Sequence, residues 1–180
     1  MDNLYQYAGK IMNINLVSPS EIDSVMVLVK GAIQKMHRNG IQQWGEYYPT
    51  SEIFQADIAA GSLYAARIDG SIVGIIGLDE NQNSEWKNQD WVDIEGKPLV
   101  VHRVCVAVNF QGQGIAKKLM RFAEDYAGKN GYTSIRLDAL AGNPISLGLY
   151  DSLGYRRCGT FKGHQHDCYC FEKILQDDGD

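Results

Sequence analysis

The stretch 104–118 constrains this chain more than any other part of its sequence. It starts as an apolar run suited to a buried strand, which breaks at Asn109. A turn containing Gly112 and Gly114 follows, and a helix is predicted from about Ile115. A helix N-terminus reached through a glycine turn presents unpaired backbone N–H groups beside the positive end of the helix dipole, and this combination binds phosphate. The sequence therefore predicts that this segment holds a phosphorylated ligand.

Two general phosphate-binding patterns fit this stretch less well. A nucleoside-triphosphate loop requires Gly-Lys-Ser/Thr, whereas Gly114 is followed by Ile115 and Ala116. A dinucleotide-binding fold requires Gly-x-Gly-x-x-Gly, and Lys117 stands at the third glycine position. Asp138, at the end of the next predicted strand, matches the acidic residue of that fold. A dinucleotide-binding oxidoreductase therefore stays open as an alternative.

Two separated motifs resemble the signatures of the GCN5-related N-acetyltransferase (GNAT) family. The first, Q-x-x-G-x-A from Gln111, is similar to the family motif that holds the pyrophosphate of coenzyme A. The second begins at Asn143, reaches Tyr150 seven residues later and continues toward Leu-Gly-Tyr. Both occur in the family's order and at its usual separation, and the resemblance covers residues 98–161 closely. The chain thus resembles a bacterial-type member of this family.

The resemblance implies an acyl-coenzyme A N-acyltransferase fold. This is an α/β (α+β) arrangement in which a mixed, mostly antiparallel sheet of six to seven strands is combined with about four helices. The family's fourth and fifth strands splay apart, and the pantetheine arm of the cofactor lies in the gap. Residues 1–180 are expected to form one domain with a cofactor-binding core at about 98–161. The pattern predicts strands at 12–17, 62–69, 72–78, 98–108, 133–138, 155–161 and 167–174, helices at 21–38, 51–60, 114–129 and 144–152, a polar excursion at 79–97 and a loose acidic tail at 176–180.

Acetyl-coenzyme A is the cofactor that the resemblance implies. The backbone of the strand is expected to meet its pantetheine arm, and the glycine turn is expected to surround its pyrophosphate. Asn143 matches the family asparagine that hydrogen-bonds the arm, and it is equally suited to cap a helix before Pro144. The expected cofactor contacts are Val104, Val106, Val108, Gln111, Gly112, Gln113, Gly114, Ile115, Ala116, Lys117, Asn143 and Tyr150.

The implied reaction is direct acetyl transfer to a primary amine of a small molecule or peptide. An amine of pKa ~10.4 must first lose a proton, and the departing thiolate must gain one. Tyr150 matches the family tyrosine and is the expected acid. Asp138 and His102 are candidate bases, His102 because strand alternation sets it on the face of Val104, and water-relayed transfer is a third route. Cys105 lacks an activating partner and is not expected to be a nucleophile.

Aromatic residues mark the expected acceptor side. Trp44, Tyr47 and Tyr48 lie where the family builds its acceptor pocket, and Trp86 and Trp91 are candidates to join them. An aromatic wall can hold a cation or a flat ring. Packing in a core or a dimer interface would account for the same residues. A catalytically idle acyl-coenzyme A sensor on the same fold is a further alternative to an enzyme.

Composition limits the partners and the location. The net charge of −5 and the pI of about 5.3 argue against nucleic acid, which binds basic surfaces. No apolar stretch reaches the ~20 residues of a membrane helix and no signal-peptide pattern is present, so no membrane association and a cytoplasmic location are expected. The alternating His164, His166, Cys168 and Cys170 would lie ~6.6–6.8 Å apart along a strand, too far to surround one ion, so no metal site is expected. A homodimer is a family-level expectation.

Overall fold

The computed structural model describes residues 4–7, 9–163 and 166–175, which form two compact units. Unit 1 comprises the described residues up to Leu78 together with His102–Phe122. Unit 2 comprises Asp79–Val101 together with the described residues from Ala123 onward. Across these ranges, none of the helices has the length and apolar character that crossing a bilayer requires. The one-domain organisation stays a prediction.

Eight strands and four α-helices occur in the described part of the chain. The strands are β1 Leu4–Tyr7, β2 Lys10–Leu16, β3 Leu63–Ile68, β4 Ser71–Asp79, β5 Pro98–Val106, β6 Ser134–Leu140, β7 Arg156–Lys162 and β8 Asp167–Ile174. The helices are α1 Ile22–Arg38, α2 Ser51–Ala59, α3 Ile115–Lys129 and α4 Pro144–Ser152. The sheet order is β1-β2-β3-β4-β5-β6-β8-β7, and β5 and α3 contribute residues to both units. The predicted fold class is confirmed, with more strands than the six to seven expected.

Strand β1 is the one that the sequence pattern did not predict. Its four residues are too few to display a hydrophobic period, and it forms because it pairs antiparallel with β2 from Leu4–Asn13 to Tyr7–Lys10. The strand predicted at 12–17 is β2 itself, shifted toward the N-terminus. The acidic tail 176–180 and His164 lie outside the described residues.

Helices α1 and α2 cover one face of the unit 1 sheet. Their apolar stripes pack against alternate residues of β3, β4 and β5. The opposite face meets the start of α3, where the rings of Tyr64 and Phe122 lie 5.0 Å apart. A Cβ on Gly74 would lie 3.1 Å from Leu119 and 3.2 Å from Ile115, so this glycine lets α3 approach β4 closely. The cluster beneath α1 and α2 consists of Val17, Val25, Leu28, Val29, Ala32, Trp44, Phe54, Ile58, Leu63, Ala65, Ile75 and Cys105.

Unit 2 contains a short parallel ladder. The first half of β5 runs parallel to β6 over three pairs, from Pro98–Ser134 to Val100–Arg136. Within the described part of this unit, β6 beyond Arg136 is paired on its β8 edge alone, as expected of a strand that leaves its parallel neighbour. Five other ladders, β1–β2, β2–β3, β3–β4, β6–β8 and β7–β8, are antiparallel. This pairing does not fit a dinucleotide-binding fold, whose sheet is mostly parallel.

The predicted excursion at 79–97 is held to the unit 2 sheet by a buried ion pair. The excursion contains a short 3₁₀ helix, Ser84–Asn88. Arg136 of β6 donates through Nε to Glu172 of β8 at 3.0 Å and through Nη1 to Gln82 of the excursion at 2.8 Å. Because both members of the pair are buried and hydrogen-bonded, this contact fixes a segment whose regular secondary structure is limited to that short 3₁₀ helix.

Trp86 and Trp91 have structural roles in this excursion. Trp86 is 2% exposed and packs with Val100 and Cys170 in the unit 2 core. The Trp91 ring lies 5.6 Å from that of Trp86 and beneath the guanidinium of Arg136, at 4.4 Å. Their suggested place in an acceptor pocket is therefore not supported, and packing accounts for both residues.

The entry to α1 carries a bidentate ion pair that is sensitive to acid. Glu21 accepts hydrogen bonds from Nε and Nη2 of Arg67 at 2.9 and 2.7 Å. The hydrogen bonds from Arg67 lower the pKa of Glu21 from 4.5 to about 2, against the opposing effect of burial. A carboxyl group whose pKa is depressed on folding stabilises the folded state above its unfolded pKa, and this stabilisation is lost as the pH falls through the folded pKa.

We expect Glu21→Gln to make the free energy of unfolding less dependent on pH in acid. Between pH 7 and pH 3 the variant should lose about 1–2 kcal/mol less free energy of unfolding than the parent, after allowance for solvent screening. Urea denaturation at both pH values measures this difference, and Glu46→Gln, on an exposed residue, serves as the control. Equal losses in the parent and Glu21→Gln would contradict the assignment.

Candidate active site

The chain reverses between β5 and α3 through two left-handed glycines. After a 3₁₀ turn at Val108–Phe110, Gly112 has a φ of 75° and Gly114 a φ of 82°. A Cβ on either glycine would meet no atom within 4 Å. The two glycines are therefore required by the backbone conformation, which L side chains adopt at a cost of ~1–2 kcal/mol. The motif suggests a second reason for these glycines, namely that a ligand must approach the backbone closely, and this requirement is separate from the first.

The reversal leaves the N-terminal amides of α3 available. The first bond of the helix runs from Lys118 N–H to the Gly114 carbonyl at 3.1 Å, so the N–H groups before it have no carbonyl partner within the helix. Gln111 fixes the start of the turn, because its Nε2 donates to the Val106 carbonyl at 3.0 Å. Ile115 anchors the helix in the unit 1 interior and is 1% exposed, while Lys117 is exposed. Such a helix end attracts an anion.

The backbone of β5 is irregular just before the predicted cofactor strand. Arg103 has a φ of 52°, which is left-handed backbone at a non-glycine residue. A Cβ on Gly77 would lie 3.3 Å from the His102 Cβ and 3.6 Å from the Arg103 guanidinium, so both side chains leave the strand toward the same face. The prediction that His102 and Val104 lie on the same face of the strand is therefore wrong, because it assumed regular alternation of side chains. The role of His102 as a base stays a prediction without that support.

Burial makes Cys105 chemically inert. The residue is 7% exposed in the cluster beneath α1 and α2, and burial raises the pKa of its thiol to about 12. A thiol with that pKa has a negligible thiolate fraction at neutral pH. Cys105 is accordingly unsuited to covalent catalysis.

Helix α4 in unit 2 carries the second motif. Asn143 is its N-cap, and the side-chain oxygen accepts from Ser146 N–H at 3.3 Å, with Pro144 as the first helical residue. The capping role is thus observed. Tyr150 is 6% exposed, and its ring lies 5.4 Å from that of Phe171 and 5.9 Å from that of Tyr155. The tyrosine is a packed aromatic, which fixes where its hydroxyl points.

Tyr150 and Asp138 are brought together within unit 2. Burial raises the pKa of the Tyr150 phenol above its ordinary value, and the negative charge of Asp138 raises it further. Asp138 lies on β6 opposite Cys170 of β8. Burial raises the pKa of Cys170 to about 12, with Asp138 as a further cause. Tyr150 is therefore protonated at neutral pH, as a proton donor must be.

The three aromatic residues predicted for the acceptor side differ in their surroundings. Trp44 is 9% exposed and belongs to the cluster beneath α1 and α2, and its carbonyl oxygen lies 2.7 Å from Nε2 of His37. Tyr48 is 42% exposed and meets the Trp44 ring edge-on at 6.5 Å. Tyr47 is 93% exposed. Core packing accounts for Trp44, and the place of the exposed Tyr47 and Tyr48 on the acceptor side stays a prediction.

The alternating histidines and cysteines near β8 form no cluster in the described chain. Strand β8 begins at Asp167, so His166 precedes it. Among the described residues, no group of three His, Cys, Asp or Glu side chains could hold a metal ion. Burial raises the pKa of Cys168 to about 11. This thiol too is poorly suited to reaction at neutral pH.

The family of the chain follows from its sequence profile. The profile of the Acetyltransferase (GNAT) family matches residues 31–155, more than half of the chain. The chain belongs to this family. It is 25% identical over 159 residues to the uncharacterized N-acetyltransferase YesJ of Bacillus subtilis (strain 168), covering 86% of each protein. N-acetylaspartate synthetase of Xenopus tropicalis is 31% identical over 101 residues, and the match spans 56% of this chain but only 33% of that relative.

Solved GNAT structures share the fold. An acetyltransferase of the GNAT family from Streptococcus agalactiae 2603 has a TM-score of 0.83 at 23% identity, covering 97% of this chain and 99% of that one. PaiA N-acetyltransferase from Thermoplasma acidophilum, in complex with coenzyme A, has a TM-score of 0.69 at 16% identity, covering 91% and 98%. This GNAT chain therefore shares the fold of solved members of its family.

Tyr7 of β1 is a contact of the GNAT turn that the motifs did not reveal. Its hydroxyl donates to Oε1 of Gln113, whose Nε2 donates to the Asn109 carbonyl at 2.9 Å. The Tyr7 ring lies 6.4 Å from that of Phe110. Tyr7 precedes residue 31, where the family match begins, so the resemblance carried no signal for it. The extra strand therefore braces the glycine turn.

We expect Tyr7→Phe to weaken binding of coenzyme A about fivefold, because the turn loses a hydrogen bond that is worth about 1 kcal/mol. Isothermal titration calorimetry measures the change. Tyr132→Phe is the matched control, since it removes a similar bond, from the Tyr132 hydroxyl to Glu80 at 2.9 Å, in unit 2. Equal affinity of Tyr7→Phe and the parent would show that β1 does not brace the turn.

Proposed function

We propose that this acetyltransferase moves an acetyl group from acetyl-coenzyme A to a primary amine of a small molecule or peptide, by direct attack and in the cytoplasm. The observation that carries the proposal is the left-handed turn at Gly112 and Gly114, which delivers the helix amides of α3 to an anion. The fold relative PaiA in complex with coenzyme A supports the choice of cofactor. A homodimer stays a prediction.

The cofactor is proposed to bind the two motifs as follows. The backbone amides from Gln111 to Lys117 hold the diphosphate, and the exposed Lys117 adds positive charge nearby. The backbone of Val104, Val106 and Val108 meets the pantetheine arm. Asn143 hydrogen-bonds the same arm while it caps α4.

The reaction is a single displacement through a tetrahedral intermediate. The lone pair of the neutral amine attacks the thioester carbonyl carbon, and the new C–N bond forms. Collapse of the oxyanion breaks the C–S bond, and the thiolate takes a proton from the acid, Tyr150. The amine's surplus proton passes to Asp138, to His102 or through water to the solvent. No covalent enzyme intermediate is required, in keeping with the buried, inert Cys105.

Tyr150 suits the acid role because its surroundings suppress its ionisation. Burial and the charge of Asp138 raise the pKa of Tyr150, so the phenol arrives protonated. The same desolvation raises the pKa of a thiolate that leaves into buried surroundings, as it does for Cys105. The pKa of the proton donor, Tyr150, and the pKa of the proton acceptor, the thiolate, are therefore both raised. Proton transfer between them stays feasible.

The relatives offer candidate acceptors. N-acetylaspartate synthetase of Xenopus tropicalis bears the name of an amino-acid product, but this chain covers only 33% of that protein. An amino acid is therefore one candidate acceptor beside polyamines, antibiotic amines, lysine side chains and protein N-termini. A panel of these amines with acetyl-coenzyme A, assayed by thiol release, tests the proposed function. No release with any amine would favour an acyl-coenzyme A sensor.

We expect Gly114→Ala to weaken binding of coenzyme A at least ~10-fold, because the strained turn no longer presents its amides in register. Gly40→Ala is the matched control: Gly40 follows α1 with a φ of 74°, and a Cβ there also meets no atom within 4 Å. Both variants should lose similar thermal stability, but only Gly114→Ala should lose affinity by calorimetry. An equal loss of affinity in both would refute the assignment.

We expect Tyr150→Phe to lower kcat ~10²–10⁴-fold while the Kd for coenzyme A stays within about threefold, because the phenol is needed only when the thiolate departs. Tyr155→Phe is the control, since Tyr155 is a second buried tyrosine whose ring lies 5.9 Å away. Steady-state kinetics and calorimetry give the two readings. Unchanged kcat in Tyr150→Phe would remove Tyr150 from the mechanism.

A further inference from the structure

Three largely buried arginines differ in how their guanidinium groups are satisfied. Arg67 and Arg136 each donate through Nε, Nη1 and Nη2. Arg103 has 10% of its side chain exposed, yet its Nε–H has no hydrogen-bond partner among the described residues. A buried charged donor without an acceptor is costly, so it requires an explanation. A ligand that supplies the missing acceptor is one.

Arg103 lies in a small polar cluster contributed by three segments of unit 1. Its Nη2 is 2.6 Å from Oδ2 of Asp57 on α2, and its Nη1 donates to the Tyr48 hydroxyl at 3.5 Å. Tyr48, 42% exposed, is the outer member. We call Arg103, Asp57 and Tyr48 the Arg103 cluster. Gly77 faces this cluster, because a Cβ there would lie 3.3 Å from the Cβ and the carbonyl oxygen of His102 and 3.6 Å from the Arg103 guanidinium.

The backbone that carries Arg103 is strained. A φ of 52° at a residue with a long side chain is disfavoured, and such residues concentrate at binding and catalytic sites. With this left-handed backbone, the side chains of His102 and Arg103 leave the strand toward one face. The next residue is Val104, which the proposed function assigns to the cofactor arm. Strand β5 is therefore irregular at Arg103, the residue that carries the guanidinium group of the cluster.

We propose that the Arg103 cluster recognises the carboxylate and amino groups of an α-amino acid, which makes a free α-amino acid the acceptor class of the proposed acetyltransferase. This inference rests on that proposed function. A guanidinium matches a planar carboxylate, and the Nε–H is the donor that such a ligand would satisfy. The Asp57 carboxylate beside it suits the amino group. An α-amino acid carries both groups on one carbon, so its charges are complementary to those of the pair.

The cluster discriminates against other amines for the same reason. A polyamine brings no acceptor for the Arg103 Nε–H and places a second cation beside the guanidinium. An amino-acid amide keeps the amino group but has lost the anionic oxygens.

The test uses the full-length chain and measures kcat/KM by thiol release from acetyl-coenzyme A. The twenty L-amino acids, the amides of those that react, and spermidine are the acceptors. We expect at least ~10-fold preference for an amino acid over its own amide, and the same margin over spermidine. Equal or better turnover of the amide or of spermidine would overturn the inference and leave the proposed function standing.

Arg103→Lys tests the residue itself, because lysine keeps the charge but lacks the planar fork and the Nε–H. We expect the ratio of kcat/KM for acid to amide to fall toward one through a higher KM for the acid, with the Kd for coenzyme A unchanged. Arg67→Lys, which alters an arginine with complete hydrogen bonding in the same unit, should keep the ratio. A preserved ratio in Arg103→Lys would overturn the assignment of Arg103.

The remaining outcomes are also decisive. If Arg103→Lys does not fold, the acid-to-amide ratio of the parent protein decides the question. If the parent binds coenzyme A but acetylates no amino acid, the inference fails while cofactor binding stands. If the parent does not bind coenzyme A at all, the proposed function fails, and the acceptor assignment fails with it.

Discussion

The left-handed reversal between β5 and α3 is the constraint on which the site depends. Gly112 and Gly114 adopt backbone angles that other residues reach only at a cost, and this geometry lets α3 begin with its amides directed outward. Burial of Ile115 fixes the helix start, and the Gln111 side chain ties the turn to the end of β5. The proposed anion site is therefore built from main chain, which explains why its sequence signature depends on glycine.

The backbone is also strained at a second position, Arg103 of β5, and this residue shapes another part of the proposed site. Arg103 of β5 has a left-handed backbone conformation, which interrupts the alternation of side chains between the two faces of the strand. His102 and Arg103 therefore share a face. Its guanidinium is held by Asp57 and lies near Tyr48, yet keeps one buried donor without a partner among the described residues. Such a residue is poorly explained by stability alone, because every side-chain nitrogen of the largely buried Arg67 and Arg136 donates a hydrogen bond.

Much of the fold was predictable because local signals agreed with it. Three such features are the tight turn at Asp69-Gly70 that joins β3 to β4, the cap at Asn143 and the glycine turn, and each depends on short-range chemistry that a sequence displays directly. Other features depend on partners far apart in the sequence. Strand β1 exists through its pairing with β2. The left-handed backbone at Arg103 overturns the predicted alternation of side chains, which assumed a regular strand. Arg103 is a charged residue inside the otherwise mainly apolar run 99–106. This position was a sequence signal that Arg103 is unusual, and the motifs did not use it.

The central claim is that the main-chain turn at Gly114 binds the diphosphate of an acyl carrier. Calorimetric titration of the intact protein with coenzyme A and, separately, with pantetheine tests it most directly, because the two ligands share the arm and only one carries phosphate. The account predicts that coenzyme A binds at least ~100-fold more tightly than pantetheine, a difference of about 2.7 kcal/mol. Equal affinities for the two ligands, or no binding of coenzyme A, would contradict it.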